Sequence, residues 1–297
     1  MEYSVVIPSF NSSKTIGVAL QSLVNQTYKN FEVVIVDDAS SDYLETLKVI
    51  NDFKSKLSIT VLRNQVNMNG AYSRNQGIKA AKGKYIAFLD ADDYWVNQRL
   101  ENGFKIIKQY ADQNIFIYGK FELIRSHQHG AVLPIRAIKK NELVSEYVFA
   151  SGQNMQTSTF LCPKKVAELI MFDEKLSRHQ DTDFAMRAQR LGIKIIFENK
   201  KCANYCFNST DLKQRIRAGR INSEYCESWL KLKKGYFSEV SMAGYNLLVH
   251  ARIKYLEGEK KSAIIMMIRS LIKLKLSNII DIIKVKFIIF TQTRFGI

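Results

Sequence analysis

Tyr85-Ile86-Ala87-Phe88-Leu89-Asp90-Ala91-Asp92-Asp93 is the stretch whose reading decides the fold. Its five leading residues, aromatic and partly β-branched, have the pattern of a strand buried in a parallel sheet. The run then stops on three carboxylates in four positions. Carboxylates crowded at a strand end repel one another unless a positive charge sits among them. Hard divalent ions such as Mg²⁺ and Mn²⁺ take oxygen ligands of this kind, commonly one or two carboxylates completed by substrate phosphates. A metal–diphosphate site is one reading of the cluster; an acidic turn capping the next helix is the other.

The chain around it has 297 residues, 46% of them hydrophobic and 24% charged, which is ample for a buried core and excludes a disordered class. The net charge of +16 is uneven. Residues 1–112 carry 13 Lys and Arg against 12 Asp and Glu, whereas residues 211–297 carry 17 against 7. Met1-Glu2-Tyr3-Ser4 leads directly into strand-like sequence, with neither the basic start nor the cleavage site of a secretory signal. No uncharged apolar run reaches the roughly 18 residues a membrane span needs. Cys162, Cys202, Cys206 and Cys226 lack paired zinc spacing and read as reduced thiols. Cys202 and Cys206 could share a helix face.

Strand and helix signals alternate through the first hundred residues. Ser4-Val5-Val6-Ile7 is a strand closed by Pro8-Ser9-Phe10-Asn11, and Ser12 and Ser13 are N-cap candidates for the helix after it. Phe31 to Val36 is a second strand ending on Asp37-Asp38, and Ile59 to Leu62 is a third, ending on an Asn-rich loop from Arg63 to Gly70. A helix containing Arg74 then leads to the Tyr85 strand. This order predicts a mainly parallel, Rossmann-like sheet with helices on both faces, whose ligands bind outside the carboxyl ends of the strands. Pro8-Ser9, Asp37-Asp38, Asn64 to Asn69 and Asp90 to Asp93 all fall at such ends. Neither a Gly-x-Gly-x-x-Gly turn nor a Gly-x4-Gly-Lys-Ser/Thr loop follows the first strand, so a dinucleotide fingerprint and a P-loop are both absent. A diphosphate held without such a cradle needs a metal to offset its charge.

Four motifs in order resemble the signature series of family 2 glycosyltransferases: Val5-Val6-Ile7-Pro8-Ser9-Phe10-Asn11, Val36-Asp37-Asp38-Ala39-Ser40-Ser41-Asp42, Ser73-Arg74-Asn75-x-Gly77 and Phe88-Leu89-Asp90-Ala91-Asp92-Asp93. The resemblance covers residues 3–112 and implies the inverting GT-A fold. By it, Asp38 would bond the uracil of a UDP-sugar, and Pro8 and Ser9 would line the nucleoside pocket. Asp90, Ala91 and Asp92 would form the DxD motif, with Asp92 the direct ligand of Mn²⁺ or Mg²⁺ and Asp90 its companion. Asn67 and Arg74 are carried over as donor contacts, although the Gly70–Arg74 spacing is one residue shorter than is usual. Arg74 also fits an ordinary charge on a helix surface.

Inverting transfer needs a general base for the acceptor hydroxyl. Arg178-His179-Gln180-Asp181-Thr182-Asp183 opens a helix where the family carries an acidic pair, usually Glu-Asp. Here Gln180 replaces the Glu, and the base carries over to Asp181. His179 is an alternative base, and Asp183 reads as a structural cap. Ile115 to Gly119, Phe121 to Ile124 and Gln156 to Leu161 read as strands, Glu142 to Phe149 as a helix, and His127 and His129 as surface residues. The expected organisation is thus a nucleotide-sugar half (1–112), an acceptor half (113–210) and a basic helical region (211–297).

The last region mixes bulky aliphatics with Lys and Arg, including Arg215, Arg217 and Arg220. Helices packing on the main domain are one reading, and an anionic membrane surface is the other. Nucleic acid is not expected, because aliphatics outnumber the aromatics that stack on bases. The resulting expectation is transfer of one sugar from a UDP-sugar to a polyprenyl-diphosphate-linked or lipopolysaccharide-type acceptor. It would take place in the cytoplasm at the inner face of the cell membrane, as in bacterial O-antigen and capsule synthesis. A processive polymerase is not expected, since such members generally carry transmembrane helices. A sugar-nucleotide-forming nucleotidyltransferase and a non-catalytic membrane scaffold are the alternatives.

Overall fold

The computed structural model describes residues 1–110, 113–125, 128–206 and 221–294, which form two compact units. The first comprises Met1–Leu123 and Met155–Cys206, the second Ile124–Asn154 and Phe207–Ile297. Residues 124–154 therefore group with the C-terminal helices.

The first unit is built on β1 (Tyr3–Ser9), β2 (Phe31–Asp37), β3 (Ile59–Arg63) and β4 (Tyr85–Phe88), which run parallel in the order β3-β2-β1-β4. The centres of β1, β2 and β4 are apolar without alternation and buried, as Val5, Val6, Ile7, Val33 to Val36 and Ile86 to Phe88 all are, whereas the edge strand β3 is only partly buried. That is what a sheet covered on both faces demands. Helices α1 (Ile16–Val24), α2 (Tyr43–Asn51) and α3 (Gly70–Ala80) alternate with these strands. α3 approaches β1 so closely that a Cβ on Gly77 would overlap Val6 Cγ1, which accounts for the glycine of the third motif.

Beyond β4 the sheet turns antiparallel. β5 (Tyr94–Trp95), α4 (Arg99–Gln109), β6 (Ile115–Arg125), β8 (Leu161–Pro163), α5 (Lys164–Ile170), α6 (Gln180–Arg190) and β9 (Lys194–Cys206) extend it in the order β4-β8-β6-β9-β5. A mixed α/β fold results, as expected. Inside it, Phe88, Phe116, Phe160, Phe172 and Phe184 meet ring to ring, with Phe172 stacked on Phe184 at 4.7 Å. Arg99 and Glu198 form a fully buried pair at 2.6 Å, and Arg99 also donates to the Thr159 carbonyl. Such a pair adds little net stability but is costly to break, because removing one partner strands the other charge.

Several local expectations are corrected. Ser12 and Ser13 do not cap α1, whose N-cap is Thr15 with no side-chain bond. The Ser12 hydroxyl instead accepts from the Phe10 amide, and the Ser13 amide is taken by Asp42. Residues 115–125 form one strand rather than two. The helix expected over Glu142 to Phe149 starts later, at Val144, and widens into a π-helical turn, Glu146–Ala150. Of Gln156 to Leu161 only Leu161 lies on a strand, the start of β8: the Gln156 side chain accepts the Ser158 amide at 2.6 Å and turns Thr157–Thr159 into a 3₁₀ helix. Cys202 and Cys206 lie on a strand, not a helix, and all four cysteines are free.

In the second unit, β7 (Gln128–Leu133), which holds His129, precedes a segment that packs with the C-terminal helices. These are α7 (Ser223–Leu232), α8 (Glu239–Tyr245), α9 (Ala251–Leu256), α10 (Lys260–Lys273) and α11 (Leu276–Arg294). Phe149, Trp229, Phe237 and Tyr245 form its aromatic centre, and Arg136 pairs with both Glu142 and Asp281. Among the described residues no helix is long and apolar enough to cross a membrane. His127, Arg215, Arg217 and Arg220 lie outside the described residues.

Candidate active site

Parallel register brings the polar strand ends together. Ser9 stands beside Asp37, and Asp37 beside Arg63, across neighbouring strands. The chain stays tied just past these ends: the Asp38 amide donates to the Ser9 carbonyl, Asn64 to Asp37 and Leu89 to Val6. All four polar segments therefore sit along one sheet edge, as the strand order predicts.

On the β1–β2 side, Pro8 is partly exposed and Ser9 is buried, its hydroxyl 3.0 Å from that of Ser12. Asp38 is buried and organises the loop after β3. Its Oδ1 accepts from Asn64 Nδ2 at 2.7 Å and the Met68 amide at 2.9 Å, and its Oδ2 from the Asn69 amide at 2.8 Å. Asn67 Nδ2 donates to the Asp38 carbonyl. Three of roughly four acceptor positions on the carboxylate are thus filled by the protein. Asn69, at φ 81°, then caps α3 by accepting the Ala71 and Tyr72 amides. A short polar side chain is suited to that left-handed cap.

Arg74, one turn into α3, is not a surface charge. It is 8% exposed and lies over the Phe172 ring. Its Nη2 pairs with Asp90 Oδ1 at 2.6 Å, and its Nη1 donates to Gln180 Oε1 at 3.0 Å. The guanidinium therefore joins the acidic strand end to the first residue of α6. Asp181 follows directly, partly exposed, with Oδ1 accepting its neighbour's amide from Thr182. Burial raises the Asp181 pKa; Arg74 opposes this and Asp90 adds to it. His179 precedes them at φ 61°, a strained N-cap, and burial followed by the Arg178 charge holds its pKa well down, so its ring stays neutral. Asp183 points elsewhere: it is buried against Arg187, whose guanidinium also binds the carbonyls that end α5. It is structural, as the sequence suggests.

Within the acidic cluster the three carboxylates separate sharply. Asp92 is exposed, Asp90 is partly exposed, and Asp93 is fully buried. Ala91 is buried, so its side chain contributes packing only. Asp93 accepts from Ser158 Oγ at 2.6 Å, Gln156 Nε2 at 2.9 Å and the Cys206 amide at 3.0 Å. Burial, then the Asp92 and Asp90 charges, drive its pKa well up. Ser158 Oγ also takes the Asp90 amide at 3.0 Å. Asp93 is therefore the bolt that fixes the cluster to the 3₁₀ turn and to the end of β9. Sequence patterning had no signal for Gln156 or Ser158, because their role exists only across 63 and 65 residues of chain. Tyr205 was missed as well: its pKa is raised first by burial and then by Asp93, Asp92, Asp90 and Asp181, so all four carboxylates bear on it.

Could this site hold a divalent cation? Among the described residues no three His, Cys, Asp or Glu side chains converge as a protein-only cage. Asp90 gives Oδ1 to Arg74 and has no described partner on Oδ2, and Asp92 offers an exposed carboxylate beside it. Two carboxylates with room for phosphate oxygens fit the mode in which Mg²⁺ or Mn²⁺ is shared between protein and substrate.

The chain is similar to known proteins. The family model described as glycosyl transferase family 2 matches residues 4–167. The amylovoran biosynthesis glycosyltransferase AmsB of Erwinia amylovora is 37% identical over 209 residues, covering 69% of each chain. The Escherichia coli UDP-Glc:alpha-D-GlcNAc-diphosphoundecaprenol beta-1,3-glucosyltransferase WfaP is 36% identical over 140 residues, 44% of this chain and 55% of WfaP. Among solved structures, the mannosyltransferase PcManGT of Pyrobaculum calidifontis, in complex with GDP-Man and Mn²⁺, superposes with a TM-score of 0.60 at 16% identity, over 93% of this chain and 77% of its own. With the family model matching more than half of the chain and AmsB 37% identical over two thirds of both chains, the chain belongs to glycosyltransferase family 2.

Proposed function

We propose that the protein is an inverting, metal-dependent glycosyltransferase that moves one sugar from a UDP-sugar to a lipid-linked or lipopolysaccharide-type glycan. The observation that carries this reading is the Arg74 bridge, which ties the carboxylate end of β4 to the helix that begins Gln180-Asp181. A donor-diphosphate clamp and a candidate base are thereby held on the same guanidinium. The names of similar proteins support the substrate classes: WfaP is named for UDP-Glc and a diphosphoundecaprenol acceptor. A lipid-linked acceptor places the work at a membrane surface.

In this reading, the nucleoside lies over Pro8, Ser9 and Asp38, with Asn67 at its edge. Asp38 has one acceptor position left for a uracil N–H. Asp92 and Asp90 would hold the cation, which when bound offsets the negative charge of the departing diphosphate. Arg74 contributes a further fixed positive charge beside Asp90. Asp181 takes the proton of the acceptor hydroxyl as its oxygen bonds to the anomeric carbon, while the bond from that carbon to the diphosphate oxygen breaks and its electron pair leaves with UDP. A raised pKa suits this base, since proton acceptance improves as the carboxylate approaches the working pH.

Calorimetric titration of UDP with and without Mn²⁺, followed by UDP release from a panel of UDP-sugars, tests the reading. Metal-dependent UDP binding and turnover of at least one donor are expected. Binding indifferent to Mn²⁺, or a preference for GDP, would overturn the metal or the donor assignment respectively.

A further inference from the structure

Helix α11 has two apolar faces. One is used within its own unit: Ile279 and Ile282 pack on the Ala150–Ala243–Leu274 cluster, and Val285 is buried. The other is open, with Leu276, Ile280, Ile283, Phe287 and Phe290 all exposed, Phe287 by 64%. Steps of four and three residues set these five side chains on one stripe along the helix. A contiguous open stripe of this size marks a surface that is covered in use.

The charges beside the stripe say what covers it. At roughly 100° per residue, the exposed Lys284 and Lys286 fall symmetrically on its two sides. No carboxylate lies within 4.0 Å of Lys284, Lys275, Lys273 or Arg269 among the described residues. A second copy of the helix would set Lys against Lys on both flanks in either orientation, which disfavours a coiled-coil partner. Asp281, Lys284 and Lys286 interrupt the apolar run of α11, and among the described residues no helix is long and apolar enough to cross a membrane.

We infer that this face of α11 docks on an anionic bilayer, with the Leu276–Phe290 stripe entering the headgroup boundary and Lys284 and Lys286 meeting lipid phosphates. Narrow apolar stripes flanked by Lys bind in this interfacial way. The inference uses no residue of the candidate active site and stands independently of the transferase reading.

Co-sedimentation of the full chain with phosphatidylcholine vesicles, with and without phosphatidylglycerol, is the test. Binding is expected only with phosphatidylglycerol and should weaken as salt is raised. Lys284→Glu with Lys286→Glu, and separately Ile283→Ser with Phe287→Ser, should each cut binding by about tenfold or more. Circular dichroism and UDP binding should stay unchanged, because these side chains are exposed. Absence of binding to phosphatidylglycerol vesicles would overturn the inference, as would equal binding by both double variants. A wild-type dimer that Ile283→Ser with Phe287→Ser converts to a monomer would assign the stripe to a second copy instead.

Discussion

Arg74 and Asp90 form an ion pair of 2.6 Å between residues on α3 and at the end of β4, and the same guanidinium reaches Gln180 at 3.0 Å. A planar fork can serve two acceptors at fixed angles, which a Lys ammonium cannot reproduce. Arg74→Ala should weaken UDP-sugar binding by about tenfold, the scale of a lost charge-assisted hydrogen bond. Arg74→Lys should restore only part of it. Titration of both variants with UDP measures this, and full recovery by Lys would show that charge alone matters.

Asp181 is the proposed base, and its pKa is raised by burial. It must be ionised to accept a proton, so kcat/KM should rise with pH through a value above the ordinary carboxylate range and level off beyond it. Asp181→Asn should lower kcat by about 10²–10⁴-fold. It should leave UDP-sugar binding near wild type and remove the acidic limb of the profile. A near-normal rate in the variant would exclude the role.

Asp92 is exposed, so its removal has no packing cost to confuse the result. Asp92→Asn should abolish the Mn²⁺ dependence of UDP binding while leaving thermal stability within about 0.5 kcal/mol of wild type. Calorimetry with and without Mn²⁺, paired with a thermal melt, separates these effects.

Asp93 acts on stability. Asp93→Ala leaves Gln156 Nε2 and the Cys206 amide without their buried acceptor and should cost about 2–4 kcal/mol in urea unfolding. Asp93→Asn keeps the shape. Since burial and the neighbouring acids raise the Asp93 pKa, the folded state holds its proton more tightly than the unfolded chain. That contribution is full below the unfolded carboxylate pKa and is lost as pH rises through the raised folded value. Stability of Asp93→Asn relative to wild type should therefore improve from acidic to neutral pH.

Gly77 meets Val6 where α3 crosses β1. Gly77→Ala should destabilise by about 1–3 kcal/mol through overpacking, despite the better helix propensity of Ala. A denaturation midpoint equal to wild type would mean that α3 can shift away from the sheet.

The alternation of apolar runs and polar stops was enough to predict the parallel half of the sheet and the edge where Ser9, Asp38, Asn64 and Asp90 gather. Both are local consequences of burial period and chain direction. The antiparallel half was less legible. Gln156 to Ser158 reads as a strand by composition, yet a single side chain-to-backbone bond from Gln156 folds it into a turn. The acidic cluster shows the same division. Its sequence announced three carboxylates and a plausible cation, but residues adjacent in the chain were chemically indistinguishable. Tertiary structure separated them by exposure: Asp92 faces solvent, Asp90 meets Arg74, and Asp93 is sealed against Ser158, Gln156 and Cys206. Desolvation and hydrogen-bond partners set what a carboxylate can do, and both come from chain segments far away in sequence.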